Sequence, residues 1–147
     1  MKQILIKNAE IINEGKRFKS DLLIKDGLIN KISQDLTPED ANVEVIDAKG
    51  KLLIPGIIDD QVHFREPGLT HKATIATESR AAVAGGITTF IEMPNTVPQA
   101  TTQELLEDKF KTASETSYAN YSFMFGGTND NLEELLKTDP KLSLIHI

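Results

Sequence analysis

Residues 55–68 read PGIIDDQVHFREPG, and the parsing of that string decides the fold. Pro55 and Gly56 punctuate its start, Ile57 and Ile58 supply the buried part of a short strand, and Glu66, Pro67 and Gly68 end it in a turn. Side chains two apart on a strand point the same way. Asp59, Gln61, His63 and Arg65 are therefore expected on one face, with Asp60, Val62 and Phe64 on the other. That places an imidazole and a guanidinium together at the strand's C-terminal end, where barrel enzymes keep their chemistry.

Downstream, the pattern alternates. Strands are expected at 56–59, 88–93 and 120–125, and helices at 74–84, 102–116 and 132–137. Gly85-Gly86 ends the first helix, and Thr101 with Glu104 has the pattern of a capping box for the second. Leu106, Phe110 and Ala113 give that second helix an apolar stripe. Leu132, Leu135 and Leu136 mark the third, with Pro140 beyond it. Strand-helix alternation means parallel pairing, so this part is α/β: a small open sheet or the beginning of a (β/α)8 barrel.

Upstream, residues 4–7, 11–13, 21–25, 28–33 and 43–47 read as short strands. Asp26-Gly27 between two of them is a hairpin signal, because a type I′ turn needs positive φ at both central positions. So few strands cannot close a core unless they pack on something else.

The string at 55–68 resembles the first-strand signature of the cyclic amidohydrolases. HFREPG followed by EMPNT at 92–96 resembles the dihydroorotases within that group, and the similarity runs from about residue 1 to 141. One departure stands out: Gln61-Val62-His63 occupies the place where the family usually shows His-x-His. The resemblance favours the barrel. It implies residues 1–52 as a small β subdomain, 53–141 as about three βα units of a metal-dependent hydrolase TIM barrel, and 142–147 as a suspect tail. A complete barrel takes about 250 residues, far more than follow Pro55 in a chain of 147, so a truncated fragment is expected. The closing LSLIHI resembles translated sequencing-adapter read-through; the alternative is a genuine fourth strand, which Leu144, Ile145 and Ile147 would suit.

Composition narrows the rest. A net charge of -6 with acids and bases interspersed offers no basic patch for nucleic acid and no polybasic anchor for a bilayer. Small molecules or protein partners are expected instead. The absence of cysteine excludes disulfides, thiolate metal sites and a cysteine nucleophile together. MKQILIK shows no secretory signal and no apolar run is long enough to span a membrane, so the cytoplasm is the expected location.

His63 is the first candidate metal ligand, since neutral imidazole suits Zn²⁺. Gln61 takes the other ligand position with an amide oxygen that is a much poorer zinc donor, so the site is expected to hold one metal, or a second only weakly. Arg65 offers a planar fork of donors to a carboxylate. The resemblance assigns substrate-carboxylate binding to Arg65 and Asn95. Asp59 is placed to orient His63 from behind, as carboxylates do for ligating imidazoles, whereas Asp60 points away. Glu92 reads as an interior carboxylate paired with a cation rather than as a catalytic group. Gly126-Gly127-Thr128 reads as a tight turn, with anion binding by its amides as the alternative. His71 is expected in solvent, and His146 is not expected to be a ligand.

The resemblance implies a zinc-dependent enzyme that interconverts N-carbamoyl-L-aspartate and dihydroorotate in pyrimidine biosynthesis. It also implies further metal ligands and a proton-shuttling aspartate from strands beyond the third, so the chain by itself is expected to be inactive. Homo-oligomers or association with aspartate carbamoyltransferase are the expected partnerships. Two alternatives stay open: a hydantoinase, dihydropyrimidinase or allantoinase, against which Arg65 and the MPN motif argue, and a non-catalytic partner of aspartate carbamoyltransferase, which Gln61 keeps alive.

Overall fold

The computed structural model describes residues 3–38, 42–139, 141 and 143–146. The chain divides between Pro55 and Gly56 into two units, Met1–Pro55 and Gly56–Ile147.

In the first unit, runs of β-branched residues separated by turn-formers build β1 (Gln3–Asn13), β2 (Lys16–Lys25), β3 (Leu28–Ser33), β4 (Val43–Asp47) and the short β5 (Leu52–Leu53). The sheet order is β3-β2-β1-β4, with β5 also on β1; the first three strands are antiparallel, and β4 and β5 run parallel to β1. Asp26 and Gly27 have φ of 52° and 81°, the type I′ geometry that the dipeptide calls for. Glu14 and Gly15, at 49° and 72°, make a second such turn, so residues 16–20 are strand, which the sequence reading did not anticipate.

β1 is one strand rather than two. Its register against β2 shifts between Ile6 and Ala9, where Asn8 takes a φ of 59°. The bulge is tied on both sides: the Asn8 amide donates to Asp21 Oδ1 at 2.8 Å, and Asn8 Nδ2 donates to Asp47 Oδ1 at 2.9 Å. Asp21 is buried and also accepts from the Leu36 amide at 3.0 Å, with Lys7 Nζ 3.5 Å away. Burial alone would raise its carboxyl pKa; the two amides and the ammonium outweigh that and hold it below the ordinary carboxylate range. The core here is small, comprising Ala9, Ile11, Leu22 and Ala48, while Leu28 and Ile29 on β3 are 74% and 66% exposed.

The second unit alternates as expected: β6 (Ile57–Val62), α1 (Ile75–Ala84), β7 (Ile87–Glu92), α2 (Gln103–Thr116), β8 (Asn120–Gly126), α3 (Leu132–Leu135) and β9 (Ser143–His146). The four strands pair in parallel in the order β6-β7-β8-β9. Residues 143–146 thus run as a strand beside β8, the arrangement that the apolar pattern of the tail permits. Pro140, Leu142 and Ile147 lie outside the described residues.

Helix ends follow side-chain chemistry. Thr74 caps α1 in a capping box with Thr77, and Glu66 Oε2 accepts from the Ile75 amide at 2.7 Å. The cap of α2 is Thr102, whose hydroxyl accepts from Leu105, rather than Thr101 paired with Glu104. α3 is a single turn, shorter than the sequence suggests, and no side chain caps it. The helices cover a core of Phe64, Ile75, Phe90, Leu106, Ala113, Phe123 and Phe125. Phe64 stacks on Phe90 at 4.4 Å between centroids, and Phe110 meets Phe123 edge-on at 5.0 Å. Each buried ring is worth about 1.5–3 kcal/mol in transfer alone, which makes this aromatic layer the main adhesive of the unit.

Candidate functional site

The segments HFREPG and EMPNT are built as one object, because the loops after β6 and β7 are laced together. The Met93 amide donates to Val62 O at 3.0 Å, the Arg65 amide to Glu92 Oε1 at 3.0 Å, and the Val97 amide to Pro67 O at 3.2 Å. Gly68, at φ 80°, lies so close to the Val97 carbonyl that a Cβ there would come within 1.9 Å of its oxygen. Across this seam His63 Nδ1 meets Asn95 Oδ1 at 3.1 Å. Both side chains are exposed at the strands' C-terminal ends, while Phe64, next to His63 in the chain, anchors the loop in the core.

With the Asn95 carbonyl oxygen as acceptor, His63 Nδ1 is the protonated nitrogen, so Nε2 carries the lone pair. A ligating imidazole is commonly held in this way, with one nitrogen tied to an oxygen and the other free. The Asn95 amide nitrogen donates to no partner among the described residues. The half-buried Arg65 guanidinium makes no hydrogen bond or ion pair among the described residues, so neither Asp59 nor Glu66 neutralises it.

The alternation expected along this strand holds only part of the way. Val62 and Phe64 pack on the core and Gln61 and His63 are exposed, as a pleat requires. β6 then ends at Val62, and Arg65 takes a left-handed φ of 71°, so its direction is set by loop hydrogen bonds rather than by the pleat. Asp59 does not meet His63; its Oδ1 accepts from the Gln61 amide at 3.2 Å, and Asn95 stands where a carboxylate was expected. Gln61 is exposed and its side chain has no hydrogen bond among the described residues.

Beneath the loops, Glu92 meets Lys109 of α2, with Oε2 and Nζ 2.9 Å apart and both side chains 1% exposed. The contact is ionic, since Oε2 gains no well-aligned hydrogen bond. Lys109 Nζ also donates to Met93 O at 3.1 Å and sits 5.0 Å from the Phe123 ring centroid. Burial raises the Glu92 carboxyl pKa and lowers that of Lys109, and the pairing only partly offsets this. Glu92 is thus an interior carboxylate paired with a cation. Lys109 was missed, although its place three residues after Leu106 and four before Ala113 puts it on the core-facing stripe.

The remaining candidates separate from the site. In the turn after β8 the Gly126 amide is taken by Ala100 O at 2.8 Å and the Thr128 amide by Asn131 Oδ1 at 2.7 Å, which removes two of the three donors that the turn could offer an anion. His71 is exposed. His146 lies on β9. Among the described residues, no group of three or more His, Cys, Asp or Glu stands close enough to hold a metal ion, so His63 and Gln61 are at most part of a ligand set. No helix among the described residues is long and apolar enough to cross a membrane.

Comparison with known proteins shows the family. Residues 50–137 match the family model described as Dihydro-orotase-like. Proteins named dihydroorotase from Bacillus cereus and Bacillus cytotoxicus are each 46% identical over 117 residues, covering 79% of this chain and 27% of theirs. The chain therefore spans about a quarter of the length of the curated relatives it matches. Among solved structures, L-hydantoinase (dihydropyrimidinase) from Arthrobacter aurescens superposes with a TM-score of 0.87 at 34% identity, over 93% of this chain and 30% of that one. D-hydantoinase (dihydropyrimidinase) from Thermus sp. gives a TM-score of 0.77 at 34% identity, over 91% and 30%.

Proposed function

The chain belongs to the dihydro-orotase-like family, and from that premise we propose that it supplies the carboxylate-binding side of a dihydroorotase, an enzyme interconverting N-carbamoyl-L-aspartate and dihydroorotate. The observation that carries this reading is the seam between the two loops. Among the described residues it presents two uncommitted donors, the Arg65 guanidinium and the Asn95 amide nitrogen, beside an exposed imidazole. A planar guanidinium and an amide suit the carboxylate of an acidic ring, and holding that end orients the ring amide for reaction.

His63 Nε2 fits one position of a metal site, with the Gln61 side-chain oxygen as a weak neighbour; Zn²⁺ is the proposed ion. When bound, such an ion supplies Lewis acidity toward a carbonyl and lowers the pKa of a water. Within this chain, Asn95 holds the His63 tautomer, Arg65 binds the substrate carboxylate, and the packed Phe64 keeps both on a rigid base. The proposal extends to a cytoplasmic place in pyrimidine synthesis. It also holds that the chain alone turns nothing over, for want of a complete ligand set among the described residues.

The test uses a full-length relative with the same motifs. Arg65→Leu should raise the KM for dihydroorotate at least about tenfold, because losing a charge-assisted pair costs about 1.5–3 kcal/mol. An unchanged KM would remove Arg65 from the site. The hydantoinase reading is favoured by the solved structures. Side-by-side turnover of dihydroorotate and dihydrouracil separates the two, and preference for dihydrouracil would reverse the assignment.

A further inference from the structure

The function proposed above makes no use of Glu92 and Lys109, although both are charged and almost completely buried in the second unit. A buried ion pair is a poor stabilising device, since well-packed apolar residues of similar volume often do as well or better. What distinguishes this pair is its other contacts. Glu92 Oε1 accepts the Arg65 amide, and Lys109 Nζ donates to the carbonyl of Met93, two residues before Asn95. Each partner thus meets the other as an ion pair and makes a hydrogen bond to the backbone of a loop that carries a site residue.

Arg65 needs such support. A non-glycine residue at φ 71° is strained, and strained backbone persists only where its surroundings fix it. The Glu92 carboxylate is the group that receives the strained residue's amide, and Lys109 holds that carboxylate in place.

We propose that Glu92 and Lys109 form a positioning pair, which fixes the backbone of Arg65 and the start of the Asn95 loop so that both side chains converge on an anionic ligand. The inference rests on the reading of Arg65 and Asn95 as carboxylate binders. It assigns the pair no contact with the ligand.

The test compares two double variants of the chain that both remove the charges. Glu92→Gln with Lys109→Met keeps an oxygen acceptor for the Arg65 amide; Glu92→Leu with Lys109→Met keeps the volume and loses the acceptor. Hydrogen exchange at the Arg65 amide should match wild type within about threefold in the first and run at least about tenfold faster in the second, with the Phe123 amide unchanged in both. Titrated dihydroorotate, followed through the Arg65 and Asn95 resonances, should bind more weakly to both variants, which lose the Lys109 bond to Met93 O, and at least about tenfold more weakly to the leucine variant than to the glutamine variant. A purely structural role predicts equal Arg65 exchange in the two variants, and that result would overturn the proposal. So would a wild-type Arg65 amide exchanging as fast as an unprotected loop amide, a measurement that needs no variant to fold. If wild type fails to bind dihydroorotate, the carboxylate-site reading falls, while the exchange comparison still decides the positioning role.

Discussion

Gly68→Ala tests whether the two site loops form one rigid object. Gly68 has φ 80°, and a Cβ built on it would lie 1.9 Å from Val97 O and 2.7 Å from Val97 Cβ. Holding an alanine in the left-handed region costs about 1–2 kcal/mol. The contact with Val97 must also be relieved by backbone movement, an overpacking penalty of about 1–3 kcal/mol. Together these predict a loss of about 2–5 kcal/mol. Gly86 provides the internal control: it lies in the same unit with φ 92°, yet nothing stands within 4 Å of its added Cβ. Gly86→Ala should therefore cost only the conformational share, about 1–2 kcal/mol. Urea unfolding followed by Tyr fluorescence or circular dichroism gives both values. At an m-value of about 1–3 kcal/mol/M, the midpoint of Gly68→Ala should fall clearly below that of Gly86→Ala. Coincident midpoints would show that the loop carrying Val97 gives way freely, and the argument that the seam fixes His63 against Asn95 would fail.

Other perturbations have equally direct readouts. Phe90 is completely buried against Phe64, Tyr121 and Phe123, so Phe90→Ala should cost about 3–5 kcal/mol in the same urea titration, and less than 2 would mean that the aromatic layer collapses around the gap. Removing the acceptor at the start of α1 with Glu66→Ala should cost about 1 kcal/mol and speed exchange of the Ile75 amide; an unchanged amide would deny Glu66 that role. Asp21 has its carboxyl pKa held low in the folded state, so its contribution is present above the ordinary carboxyl value of about 3.9 and is lost as pH falls through the depressed value. The stability gap between wild type and Asp21→Asn should accordingly narrow as pH drops below about 4, and a gap independent of pH would contradict the assignment. In a full-length relative with the same motifs, Gln61→His should raise the zinc content per subunit, because imidazole is the better donor; identical stoichiometry would show that Gln61 does not stand at a metal position.

What the sequence made legible follows from how local each signal is. Strand-helix alternation, the Asp26-Gly27 turn and the end of α1 depend on a few neighbouring residues, and the structure agrees with each. The continuity of β1 was not readable in the same way: the bulge at Asn8 depends on Asp21 and Asp47, which reach it from other strands. The cap of α2 slipped by one residue because Thr101 and Thr102 are chemically alike, and only the geometry selects Thr102.

The site shows the same division. The motifs put Asn95 with Arg65 and gave His63 to Asp59; the contact that the structure shows is instead between Asn95 and His63, at 3.1 Å. The period-two rule describes residues 61–64 alone: Ile57 and Ile58, read as the buried part of the strand, are 48% and 65% exposed where the register against β7 shifts, and at Arg65 the strand has ended and a side chain from the end of the neighbouring strand captures the amide. Glu92 was legible as an interior charge needing a cation, but the choice of Lys109 was not, since every lysine on a surface helix looks alike until the helix is packed. Lys109 differs from the exposed Lys111 only in helical phase, lying between Leu106 and Ala113 on the stripe that meets the sheet. A charged residue on an otherwise apolar helical stripe, opposite a lone acid at the end of a buried strand, is therefore a signal in its own right. Two such misfits at core positions stabilise each other or neither is tolerated, because an unpaired buried charge costs more than the pair. Here the requirement that they pair fixes α2 in phase against β7 and sets the backbone of the loop that carries Arg65.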